Sequence, residues 1–136
     1  MVEERAALVE RLFDAFNRRD VAGIVALCDE EMEFLPVTAE AIHRMAPYVG
    51  PEGLRDYLAD IAQVWDELLI MPKQVESHES LSLVHGRVYL RSRDLGIRDM
   101  PAAWIWEVRG ERFVRGEVFA DPEQAATRFA AVSSQR

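Results

Sequence analysis

The chain has 136 residues, 49% hydrophobic and 29% charged, which is ordinary globular composition and excludes global disorder. One domain over residues 1–136 is expected, with a core made by burying roughly two-thirds of the unfolded chain's surface. The net charge of −8 excludes nucleic acid as the expected partner, because phosphate binding needs concentrated basic surface, and no run approaches the ~20 apolar residues of a membrane span.

In chain order, residues 3–18 read as an amphipathic helix. Leu8, Leu12 and Phe16 recur on one face with Val9 and Phe13 beside them, and Glu3, Glu10, Arg11, Asp14 and Arg18 take the other. Asp20 is an N-cap for a short second helix through Leu27, and Glu33-Phe34-Leu35 begins a brief strand that Pro36 keeps short or at an edge. Residues 37–49 carry no clear period. Gly50-Pro51-Glu52 then opens a long third helix, whose stripe of Leu54, Tyr57, Leu58, Ile61, Val64 and Trp65 ends near Asp66.

From Leu68 the period becomes two. Segments 68–78, 81–94, 102–109 and 112–120 predict four strands, with Arg109-Gly110-Glu111 as a tight connection between the last pair. Asp121-Pro122-Glu123-Gln124 opens a final helix. Helices followed by a run of strands indicate an α+β fold with a mostly antiparallel sheet.

Alternation sorts the sheet faces. Val88, Leu90, Ser92 and Asp94, then Trp104, Trp106 and Val108, then Val114, Gly116 and Val118 form the expected inner face. Arg87, Tyr89, Arg91, Ile105, Glu107, Phe113, Arg115, Glu117 and Phe119 form the outer one. Aromatic rings among charges on the outer face are costly to leave wet, so a homodimer through that face is expected, with aliphatic stems covering the rings as the alternative. Two indoles beside Gly116 and Ser92 on the inner face suit either tight interdigitation or the wall of a ligand pocket.

Cys28, the one cysteine, excludes an intrachain disulfide and is expected to be a buried structural thiol within a helical apolar pattern. The acidic start Met-Val-Glu-Glu-Arg lacks the basic region of a signal peptide, so a cytoplasmic location is expected.

Three stretches carry a family resemblance. The opening Leu8-Val9-x-x-Leu12-Phe13-x-Ala15-Phe16-Asn17-x-x-Asp20-x-x-Gly23-Ile24 resembles SnoaL-like proteins of the nuclear-transport-factor-2-like superfamily, as does Tyr48-x-Gly50-x-x-Gly53-Leu54-Arg55-x-Tyr57-Leu58. The closing Trp104-x-Trp106-x-Val108-Arg109-Gly110-x-x-Phe113-Val114-Arg115, then Phe119-x-Asp121, resembles the family's last hairpin. The resemblance implies a strongly curved, mixed but mostly antiparallel sheet wrapped around helices, a cone with an apolar pocket. The superfamily it implies spans several enzyme classes and many pocketed proteins with no assigned chemistry, so fold does not assign chemistry.

Carried over residue by residue, the resemblance argues against the isomerase members. Leu12 stands where their tyrosine is expected, Leu35 where their base is and Trp104 where their protonated acid is. Against epoxide-hydrolase-like members, Asp94 matches one aspartate, while Ser92 replaces the arginine and Val118 the second aspartate.

The candidate acid/base residues are therefore Asp94 on the inner face and Glu40 and His43 in the segment that closes the pocket in this fold. The expected lining is Leu12, Phe16, Leu35, Tyr48, Tyr57, Leu58, Leu90, Ser92, Trp104, Trp106 and Val118. No metal site is expected, since His78, His85 and Glu76 lack zinc-like spacing, and no cofactor, since no phosphate or dinucleotide fingerprint is present. The expected partner is a small hydrophobic or aromatic molecule bound in the pocket, with catalysis unproven. An acid/base cyclase, isomerase, dehydratase or hydrolase is the alternative, and a dimerisation module with a filled core the second.

Overall fold

The computed structural model describes residues 2–35 and 47–134. Helix α1 (Val2–Asn17) turns Leu8, Val9, Leu12, Phe13 and Phe16 inward, as its stripe predicts. Arg19 reverses the chain in a left-handed conformation (φ 57°), and Asp20 then caps α2 (Val21–Leu27) by accepting the Gly23 N–H at 3.0 Å.

Strand β1 (Cys28–Leu35) begins five residues earlier than expected, so Cys28 opens a strand instead of continuing a helix. A two-residue strand, β2 (Tyr48–Val49), leads directly into α3 (Gly50–Val64). Gly50 is required there: its φ is +67°, and a Cβ would run into the Glu30 carbonyl oxygen of β1.

Strands β3 (Glu67–His78), β4 (Leu81–Ser92), β5 (Gly96–Arg109) and β6 (Arg112–Phe119) follow, and α4 (Pro122–Ser133) closes the described chain. The six strands form one sheet in the order β2-β1-β6-β5-β4-β3. Only β1 and β6 run parallel; the other pairs are antiparallel. β5 starts at Gly96, six residues before its expected start, because the β4–β5 ladder continues from Ala102↔Gly86 out to Gly96↔Ser92. Pro101, which discourages a strand reading, is an exposed position of that ladder.

The two faces are covered differently. Helices α1, α2 and α3 cover one face and form the main core with Leu68, Ile70, Val84, Val88, Leu90, Trp104 and Trp106. Helix α4 lies on the opposite face, where Ala125 and Phe129 cluster with Leu81, Leu83, Ala103 and Ile105, and Phe119 packs against them. Part of the face expected to be covered by a second copy is thus covered by the chain's own last helix. The other part stays open, with Leu69 37% and Ile97 67% exposed among Arg87, Arg91 and Asp99.

Two face assignments are corrected. Phe113 is expected outward and is fully buried in the main core. Between the pairs Glu107↔Arg115 and Val108↔Phe113, β6 carries one extra residue, Val114, and this bulge shifts Phe113 to the inner face. Leu35 is expected to line the interior. It follows Phe34, whose ring is in the main core, so alternation turns Leu35 to the other side, and it belongs to neither hydrophobic cluster.

Candidate functional site

The interior between α1, α3 and the sheet is walled by aromatic rings. Trp106 is stacked on Phe34 with centroids 5.7 Å apart and planes within 2°. Phe34 meets Tyr57 edge-on at 4.9 Å, Tyr57 meets Tyr48 at 5.3 Å, and Phe13 lies 4.9 Å from Trp104. Each element contributes on its own period: every third or fourth residue from α1 and α3, alternate residues from β1 and β5. Offset and edge-on ring pairs each add about 0.5–1.5 kcal/mol beyond their buried area, so the rings hold one another in place.

Eight of the expected lining residues share this one core: Leu12, Phe16, Tyr48, Tyr57, Leu58, Leu90, Trp104 and Trp106. Val118 packs against it while half-buried, as does Met100, which sequence reasoning left outside the strands.

Few polar groups enter this interior. The buried Tyr48 hydroxyl donates to Asp60 Oδ2 at 2.8 Å, which brings a half-buried carboxylate of α3 to the wall. Asp60 carries no sequence signal, because the bond links a strand residue to one twelve positions later on the adjoining helix. Trp106 Nε1 and Trp65 Nε1 are buried without a hydrogen-bond partner among the described residues. Burial pushes the Cys28 thiol up to about 12, which makes it an inert structural group, as expected.

The candidate acid/base residues fare differently. Asp94 is expected on the inner sheet face, but β4 ends at Ser92 and Asp94 is exposed in the following turn. The cause is Ser92, whose Oγ accepts the N–H groups of Asp94 (3.2 Å) and Leu95 (3.4 Å) and curls the chain out of its alternation. The burial that a general base requires is absent there. Ser92 is itself buried, as expected, but its hydroxyl serves this turn. Glu40 and His43 lie outside the described residues. Among the described residues no three His, Cys, Asp or Glu side chains converge as a metal site, and no helix is long and apolar enough to cross a membrane.

Residues 9–116 match the SnoaL-like domain family. No curated protein matches the chain in sequence. Solved structures of the same fold include a nuclear-transport-factor-2-like protein of unknown function from Burkholderia pseudomallei, 15% identical, with a TM-score of 0.78 over 91% of this chain and 95% of that one. TerC, co-crystallised with polyporic acid, is 17% identical, with a TM-score of 0.78 over 96% and 98%. A protein of Xanthomonas campestris pv. campestris provisionally assigned as a polyketide cyclase is 14% identical, with a TM-score of 0.72 over 90% and 94%. The Asn17 and Asp20 of the opening resemblance, the α3 start at Gly50 and the Trp104–Phe113 hairpin all fall within the matched stretch or the elements that frame it, and the chain belongs to the SnoaL-like domain family.

Proposed function

We propose that the protein binds a small hydrophobic or aromatic molecule against the inner face of the sheet, without requiring catalysis. The observation that supports this reading is the convergence of Trp104, Trp106, Tyr57, Tyr48 and Phe16 in one apolar interior. Such walls give affinity through area and ring contacts, and a few polar groups set orientation. A relative of this fold was crystallised with polyporic acid, which makes that compound a rational first probe.

Titration with polyporic acid and a panel of aromatic and terpenoid compounds tests the reading by indole fluorescence and melting temperature. Saturable quenching that is reduced in Trp104→Phe is expected, with a stabilisation of about 2.7 kcal/mol at hundredfold saturation. No compound shifting either signal overturns it.

One observation favours an acid/base enzyme as the second reading: the Tyr48 hydroxyl donates to the half-buried Asp60 carboxylate at the wall, which places a hydroxyl and a carboxylate side by side. Tyr48→Phe would then abolish turnover of a bound compound while leaving its affinity within a fewfold. A homodimer, on this reading, uses the part of the outer face that α4 leaves open, around Leu69, Tyr89 and Ile97. Sedimentation of the chain as a monomer at micromolar concentration would exclude it.

A further inference from the structure

Trp106 carries an unused hydrogen-bond donor into the main core. The residue is 1% exposed, and its Nε1 has no partner among the described residues. Its surroundings explain why. Phe34 stacks on the ring at 5.7 Å, and Phe13 and Phe113 meet it edge-on at 6.0 and 5.3 Å, so these neighbours offer only hydrocarbon. The Cε3–Cζ3 edge lies over Gly116 of β6, which leaves the opposite edge, with Nε1, turned away from that strand. Ser82 stands directly across the β4–β5 ladder, but its Oγ is engaged by Arg5 Nη1 at 3.2 Å and Ser77 Oγ at 2.9 Å.

An indole N–H can only donate, so no change of rotamer or protonation within the side chain satisfies it. A buried donor left unbonded disfavours the unliganded state, and a hydrogen bond from it to a bound molecule recovers that penalty. The Tyr48 hydroxyl differs in this respect, because its proton already goes to Asp60 Oδ2. The interior also gives an anion nothing to pair with. Among the described residues no charged side chain is fully buried, and the half-buried Asp60 carboxylate stands at the wall.

Resting on the aromatic-interior reading above, we propose that Trp106 Nε1 selects the bound molecule, and that the ligand class is a flat, neutral aromatic carbonyl compound whose oxygen accepts this N–H. The rings supply area for any flat hydrocarbon, and the indole proton supplies the preference for an acceptor.

Matched pairs test this: fluorenone against fluorene and xanthone against xanthene, which differ by a carbonyl in place of a methylene. Calorimetry gives the affinities. The Trp106 indole N–H resonance of ¹⁵N-labelled protein, assigned by elimination with Trp65→Phe and Trp104→Phe, reports the contact. The carbonyl member of each pair is expected to bind about tenfold more tightly, the effect of one hydrogen bond to a donor otherwise left unbonded. It should also move that resonance downfield relative to its hydrocarbon counterpart. Fluorenone carboxylate should bind more weakly than fluorenone. Replacing Trp106 with benzothienylalanine, which keeps the ring shape and lacks the N–H, should bring the paired affinities together. Should that variant fail to fold, the wild-type resonance decides. Equal affinities within the pairs, a resonance that moves alike with both members, a preference that survives the benzothienyl ring, or tighter binding of the carboxylate overturns the proposal and leaves the aromatic-interior reading standing. Binding by no member overturns both.

Discussion

Trp106 of β5 lies directly opposite Gly116 of β6, and its Cζ3 and Cε3 occupy the volume that a Cβ at residue 116 would need. The ring cannot move aside, because Phe34 stacks on it at 5.7 Å and Phe13 and Phe113 meet it edge-on at 6.0 and 5.3 Å. Gly116→Ala is therefore expected to destabilise the fold by about 1–3 kcal/mol through overpacking. Urea unfolding checks this as a lower midpoint with an unchanged slope. Trp106→Leu in the same chain should recover part of the loss, a coupling that a double-mutant cycle measures. Wild-type stability in Gly116→Ala would show that the indole is not confined.

This pairing of a bulky and a small residue was legible in the sequence, since it needs only two strands with known inward faces. The stripes of α1 and α3 were legible for the same reason, being local and periodic. What escaped were events that add or remove one residue from a count. The extra Val114 brings Phe113 inward, and Ser92 ends the alternation before Asp94. The resemblance sets Leu35 inward against its own strand's alternation, which Phe34 fixes. Asp60 and the seat of α4 depend on contacts between elements distant in sequence, and no spacing announces them.

Helix α4 covers Leu81, Leu83, Ala103 and Ile105 mainly through Ala125 and Phe129. Phe129→Ala should cost about 3–5 kcal/mol if the helix stays docked around a cavity, and less if it detaches. Hydrogen exchange separates the two outcomes. Loss of protection confined to residues 122–133 means detachment, whereas a global drop in stability means that α4 unfolds together with the sheet.

Cys28 gives the protein an alkaline limit. Its thiol is pushed up to about 12 in the folded protein, from an ordinary value of 9.0, because burial disfavours the thiolate. A raised folded value means that the contribution is fully present below pH 9 and is lost as the pH rises toward 12. Stability should fall by at most about 1.4 kcal/mol per pH unit across that window from this group. Cys28→Ala should flatten the slope between pH 9 and 11, and iodoacetamide at pH 8 should label the folded wild type far more slowly than the unfolded chain. An unchanged slope in the variant would assign the alkaline loss to other groups.

Asn17, part of the opening resemblance, closes an exposed edge of the sheet. Strand β3 is the last strand of the sheet, so its outer backbone groups have no strand partner among the described residues. Asn17 supplies one at the end of α1: its Nδ2 donates to the Ile70 carbonyl at 2.9 Å, and its Oδ1 accepts the Ile70 N–H at 2.8 Å. Arg19 extends the seam, donating to the Leu68 carbonyl at 3.0 Å. A primary amide is the side chain that reproduces both halves of a ladder pair, and covering the edge also blocks pairing with another chain. Asn17→Asp keeps the acceptor and loses the donor, whereas Asn17→Leu loses both. Losses of about 1 kcal/mol and about 2 kcal/mol are expected, since each bond contributes 0.5–1.5 kcal/mol and orphaned backbone groups add to the cost. Thermal unfolding gives the ranking, and light scattering on heating should show earlier aggregation for Asn17→Leu. If Asn17→Leu unfolds and aggregates as the wild type does, the edge is protected by something other than this amide.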